Sequence, residues 1–490
     1  MNPFFIRRKK KKRDNSRSIS SLFEQDNPKK NTQNLTLLHF ACLNPHSNIS
    51  IEIIKLLVSK GININSKTDD NENALHLVCQ NPNISIEIIQ LLISNGININ
   101  SKTNDNKTAL HLACQNQNPN ISIEIIKLLI SNGIDINSKT DDNENALHLA
   151  CQNPNISFEI IQLLISNGID INAKTNDNKT ALHLACQNTN ISLEIIKLLI
   201  SNGIELNDTS LAFNDSNTQR LNDFDLGMPI FRISIFGQSI PKPKNTLNAL
   251  HFACQNKNSK SLEIIQLLIS KGIDINSKTN DNETALHLVC QNQNSNISIK
   301  IIKLLISKGI DINSKTNDNE TALHLVCQNQ NSKSLEIIQL LISKGIDINS
   351  KTNDNETALH LVCQNQNPNI SIKIIKLLIS NGIDINSKTN DNETALHLVC
   401  QNQNPNISIE IIKLLISKGI DINSKTIYNE TALHFACQNT NTSIEIIQLL
   451  ISNGININSK TNNNETALHF ACENSNPSFE IIQLLISKWN

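Results

Sequence analysis

Apolar residues in this chain follow two alternating rhythms. Between residues 104 and 133, Leu110, Ala113 and Cys114 sit at three-to-four spacing, and after a polar break Ile125, Ile126, Leu128 and Leu129 repeat the same period. The pattern predicts a short helix, an interruption and a second helix. Pro119 supplies the interruption, because it lacks an amide proton and disfavours helix in the residue before it. Ser122 is predicted as the N-cap of the second helix, with Glu124 in its first turn, where oxygen and negative charge answer unpaired amides. Beyond Gly133 the rhythm changes. Ile134-Asp135-Ile136-Asn137-Ser138-Lys139-Thr140 alternates as an extended segment, and a polar turn leads to the next helix.

The same block returns along the chain. Twelve of the thirteen His, from His39 to His469, lie 37, 35, 37, 35, 68, 36, 37, 36, 37, 37 and 35 residues apart, each followed three positions later by a Cys. A period in this range predicts a solenoid whose units contact only their neighbours. Eleven of the thirteen Gly close the second helix, where a left-handed backbone is favoured. Five residues before the His the turn usually carries Asn, as at Asn71, Asn106, Asn282 and Asn464, and Asn also tolerates that conformation. A single unit buries too little apolar surface to offset its backbone entropy, so neighbours must share their cores.

At Thr108-Ala109-Leu110-His111-Leu112-Ala113-Cys114, and again from Ile125 to Asn137, the chain resembles the ankyrin repeat family, and the match recurs twelve times from residue 35 onward. It departs from the family pattern in places. Ala (Leu37 in the first unit) replaces the Pro before Leu-His, Asn commonly replaces the turn Gly, Cys replaces the second Ala, and the turn between helices is longer. The resemblance implies an all-α repeat solenoid of helix-turn-helix units with projecting β-hairpin fingers, about twelve units in two blocks. It places fingers and first helices on a concave side that binds protein partners. The implied chemistry is binding, with no catalytic residue, cofactor, bound metal or small-molecule substrate.

The 68-residue interval divides the array. Residues 35–207 hold units one to five, 247–490 hold units six to twelve, and 208–246 form an irregular insert or degenerate half-repeat. Met228 to Gly237 can be laid over a first helix, with Phe231 at the His position, but Pro241-Lys242-Pro243-Lys244 suits an extended link. A hinge giving the two blocks relative freedom is expected here, with a surface loop or a docking segment as alternatives. Trp489 stands where other units have their closing Gly and is expected to cover the edge of the last unit.

Charge alters the picture only at the start. The chain has 43 Lys and Arg against 44 Asp and Glu, a net charge of −1, which excludes nucleic-acid binding through overall basicity. Residues 1–34 are the exception, a basic tail expected to be disordered, with the run Arg7, Arg8, Lys9, Lys10, Lys11, Lys12 and Arg13. Three readings of that run compete: address to an import receptor, a solubilising tail, or attraction to acidic lipid or nucleic acid. The expected location is the cytoplasm, with entry to the nucleus as the alternative.

Candidate chemistry follows from the units themselves. The His-x-x-Cys pairs share one helical face, but zinc needs about four such ligands in tetrahedral reach, and small Cys suits a core position. Packing is therefore the expected role of both. Finger lysines such as Lys102, Lys139, Lys278, Lys315, Lys351 and Lys388 form either a solvated ridge or a partner-contact surface. Unit eleven replaces Asn-Asp at the finger with Ile427 and Tyr428, an apolar-aromatic pair of the kind that anchors partners. No phosphate-binding loop or isolated acid-base pair interrupts the repeats. The expected function is a scaffold or adaptor for proteins; the alternative is a nuclear or membrane-peripheral regulator addressed by its tail.

Overall fold

A computed structural model describes residues 35–43, 47–208, 247–256, 258–291, 295–329, 333–364 and 368–488. Among the described residues, twenty-four helices alternate between a short and a longer type, from Leu37–Leu43 and Ser47–Ser59 to Ala467–Glu473 and Phe479–Ser487. Each short helix packs on its own long partner and on the neighbouring short helices, and most of the long helices stack likewise. The result is a solenoid of helix pairs. The basic tail, residues 209–246 and Trp489 lie outside the described residues.

The short helices are entered through a reciprocal cap. Asn145 accepts from the His148 amide at 3.2 Å, while the Asn145 amide donates to His148 Nδ1 at 3.1 Å. Two of the amides that a helix start leaves without a helical partner are thereby satisfied. The helix that follows brings Ala146, Leu147, Leu149, Ala150 and Cys151 into the core, where they meet Ile160, Ile161 and Leu164 of the long helix Phe158–Ser166.

The long helices differ at their starts, which corrects the expected cap at Ser122. The helix begins at Pro119, one turn earlier, with Asn118 as N-cap; Ser122 is buried in it, and its hydroxyl donates to the Asn118 carbonyl at 3.0 Å. Proline is pre-set for the first helical position, where its missing N–H is no loss. Where the connection is two residues shorter, before Ile86–Ser94 and Phe158–Ser166, Pro82 and Pro154 stay in a turn outside the helix, and Ser85 and Ser157 do cap it.

Among the described residues, eleven long helices end at a left-handed glycine. Gly168 has φ of +82°, and a methyl group there would meet nothing within 4 Å. Gly168→Ala is therefore expected to cost about 1 kcal/mol through backbone conformation alone. A urea melt showing no loss of stability would contradict that origin. Asn143 takes up the other left-handed position, at φ +58° in the finger turn.

The fingers are turns rather than strand-paired hairpins. The Thr140 amide donates to the Glu144 carbonyl at 3.0 Å, and the Asn143 amide to the Thr140 carbonyl at 3.0 Å. Adjacent fingers share one backbone bond, as from the Asp141 amide to the Asp105 carbonyl at 3.1 Å, and no strand occurs among the described residues. One rung per neighbour does not make a ladder.

The two blocks are stacked on each other by the contacts that join units within each block. Asn256 Nδ2 donates to the Cys186 and Asn188 carbonyls at 2.7 and 3.2 Å, and Asn207 Nδ2 to the Gly272 carbonyl at 3.0 Å. Phe252 lies edge-on to His183 at 5.7 Å, with Lys179 Nζ 5.4 Å from its ring centre. Packing of this kind joins units five and six across the long interval.

Candidate interaction surface

The surface is built from three repeated elements: the finger, the exposed edge of the short helix, and the connection between the helices. They face one another across a groove lined in the first block by Glu72, Gln80, Asp105, Lys107, Gln115 and Gln152. Within it, Gln152 Nε2 donates to Glu144 Oε1 at 2.7 Å, and Gln80 Nε2 to Glu72 Oε1 at 3.0 Å. Burial raises the carboxyl pKa of both glutamates; the Gln hydrogen bond opposes that shift, and nearby Asp142 and Asp70 add to it. These Glu–Gln pairs, eight residues apart, escaped the sequence reading because only folding brings a finger over the helix that follows it.

The finger lysines point outward because their neighbours point inward. Ser138 and Thr140 are buried on either side of exposed Lys139, the alternation expected of an extended segment. Lys102, Lys278, Lys315 and Lys388 are likewise exposed, while Lys351 is half-buried. The structure does not gather these lysines into one site; it sets them out singly, one to a unit. Ile427 and Tyr428 are adjacent in one fingertip, with 44% and 58% of their surface exposed. Their backbones belong to the finger contacts, Ile427 donating to the Asp391 carbonyl and Tyr428 accepting from the Asn462 amide, each at 3.0 Å. The Tyr428 side chain takes no part in that pairing.

Several of the repeat histidines set the fingers in place. His76 Nε2 lies 3.0 Å from the Ser101 carbonyl, beside Lys102, and His360 Nε2 3.1 Å from the Ser387 carbonyl, beside Lys388. The opposite nitrogen accepts an amide hydrogen from the N-cap residue, at 3.0 Å from Asn73 and 3.1 Å from Thr357. An imidazole that accepts at Nδ1 must carry its proton on Nε2, so these rings are neutral donors to the carbonyls. Burial lowers their pKa to about 4, partly offset by the hydrogen bond to the Ser carbonyl. With both ring nitrogens engaged, neither offers a lone pair to a metal. Among the described residues no group of three or more His, Cys, Asp or Glu is placed to hold one.

Asparagine does the remaining work between units. Asn153, buried, donates through Nδ2 to the Cys114 and Asn116 carbonyls of the preceding unit, both at 2.9 Å. Asn137 uses both ends of its amide toward the next unit, donating to the Gly168 carbonyl at 3.1 Å and accepting from the Asp170 amide at 2.7 Å. A carboxamide can do this because it both donates and accepts. The cysteines have no such role. Eleven of the twelve are buried free thiols, and burial pushes Cys42 and Cys186 up to about 12, far from reactive thiolates.

No helix among the described residues is long and apolar enough to cross a membrane. No curated protein matches the sequence. Among solved structures, the ankyrin repeat domain of human ASB11 is similar at 20% identity, covering 49% of this chain and 97% of that chain, with a TM-score of 0.40. The family model "Ankyrin repeats (3 copies)" matches residues 11–103, 38–140, 118–210, 250–352, 330–426 and 408–490. Ankyrin repeats are generally protein-interaction modules and typically non-enzymatic. With matched stretches covering most of the sequence, on a stack of capped helix pairs joined through His and Asn, the chain belongs to the ankyrin repeat family.

Proposed function

We propose that this protein is a scaffold or adaptor that binds protein partners across its fingers and short helices. The observation that carries this reading is the exposed Ile427–Tyr428 fingertip beside the Lys-bearing fingers. Its backbone is tied into the stack while its aromatic side chain is free of those contacts. An aromatic held on a rigid support loses little entropy on binding and suits an interface anchor. The near-identical units favour an extended partner that meets several fingers at once.

Capture with the full chain, followed by identification of what is retained, supplies the partner. Tyr428→Asp is then expected to weaken its binding by about 2 kcal/mol, roughly thirtyfold, with the melting temperature unchanged. Equal affinity for both forms would remove Tyr428 from the site. A second reading, regulation in the nucleus or at a membrane surface, rests on the basic run from Arg7 to Arg13. An import receptor or acidic lipid would be its partner. A fluorescent fusion lacking residues 7–13 is expected to change its distribution in cells, and an unchanged distribution dismisses that reading.

A further inference from the structure

The first helix pair presents an apolar face more exposed than its counterparts in later units. Leu37, Phe40 and Leu56 are 69%, 58% and 59% exposed, and Ile53 is also exposed. At the positions matching Phe40, Leu77, Leu112 and Leu149 are buried under the preceding unit, and at those matching Ile53, Ile88 and Ile125 are fully buried. An open patch of this kind calls for an occupant. The residue matching Leu37 is Ala74, Ala109 or Ala146, each buried, so Leu37 puts a larger side chain on this face than those units have there.

We infer that residues 17–34 of this same chain dock on the exposed end face of Leu37–Leu43 and Ser47–Ser59. In sequence the segment joins the first described residue, Leu35, two positions before Leu37. The family model already matches from residue 11, upstream of the first described helix. Lys30 and Asn34 stand nine and five residues before His39, as Lys67 and Asn71 stand before His76, so the segment carries finger spacing. Ahead of that lie Ile19, Leu22 and Phe23, the apolar side chains that the face requires, without the full apolar stripe of a regular long helix. The docked segment seals the N-terminal end of the stack and fixes where the basic run from Arg7 to Arg13 emerges.

Hydrogen exchange on the full-length protein tests this, comparing wild type with Leu22→Asp/Phe23→Asp. These substitutions lie outside Leu37–Leu43 and Ser47–Ser59, so they alter those two helices only through contact. The double variant is expected to speed exchange in those two helices on the order of tenfold, leaving helices from Ala109 onward unchanged. A photo-crosslinking residue at position 23 is expected to join to the same two helices within one molecule. Unchanged exchange together with no crosslink to either helix overturns the inference. So does protection that persists in the variant but disappears on dilution, which would assign the face to a second copy of the chain.

Discussion

Lowering the pH from 6.5 to about 4 is expected to unfold the protein steeply. His76, His111, His148, His183, His251, His287, His324, His360 and His397 each have a pKa lowered by burial from 6.5 to about 4. The folded state holds these rings neutral, so below pH 6.5 the unfolded chain binds protons that the folded chain refuses. Their stabilisation is complete above pH 6.5 and is lost as pH falls toward the folded value. At 1.36 kcal/mol per pKa unit, each ring surrenders up to about 3 kcal/mol. Summed over the stack, that exceeds the roughly 5–15 kcal/mol by which domains are stable.

Two features shape the response. A proton added at Nδ1 would meet the amide hydrogen now donated to it, as at Thr108 and His111, 3.0 Å apart. Lys102 and Lys107 also oppose a positive charge on His111. Burial acts the other way on Glu72, Glu144, Glu283, Glu356, Glu393 and Glu430, whose pKa values are raised. The folded state takes up those protons more readily than the unfolded one, which offsets the loss near the carboxylate range. The steepest fall therefore belongs to the upper part of the window. Far-UV circular dichroism against pH checks this; an undiminished helical signal at pH 4 would refute it.

Leu164→Ala is expected to destabilise the first block strongly. Leu164 is fully buried in Phe158–Ser166, between neighbours on both sides. Removing a leucine side chain from such a site costs about 3–5 kcal/mol, through lost burial and the cavity left behind. Because units are stabilised by their neighbours, the loss is expected to spread along the stack. Exchange protection should fall first in the helices flanking 158–166. Leu163, adjacent in sequence but half-buried, makes the control, since Leu163→Ala should cost about 1 kcal/mol. Equal urea midpoints for the two variants would show that the core is not shared as described.

The line between sequence and tertiary structure runs through particular residues. Period, helix faces and turns could be read directly. They depend on side chains a few positions apart, so Leu110, Ala113 and Cys114 declare a buried face, and Gly133 and Asn106 declare left-handed turns, wherever the chain goes next. Even here local rules competed, and the longer connection before Pro119, with Asn118 as cap, moved the helix start away from Ser122. What the sequence by itself determined was thus a repeated unit and its family. Which residues bind one unit to the next was decided only by the stack. His76 meets Ser101, and Asn153 meets Cys114, across separations of 25 and 39 residues. The pairing across the 68-residue interval and the bare face at Leu37 and Phe40 are likewise products of stacking. Contacts between units depend on how whole units are placed in space, and no local spacing along the chain encodes that placement.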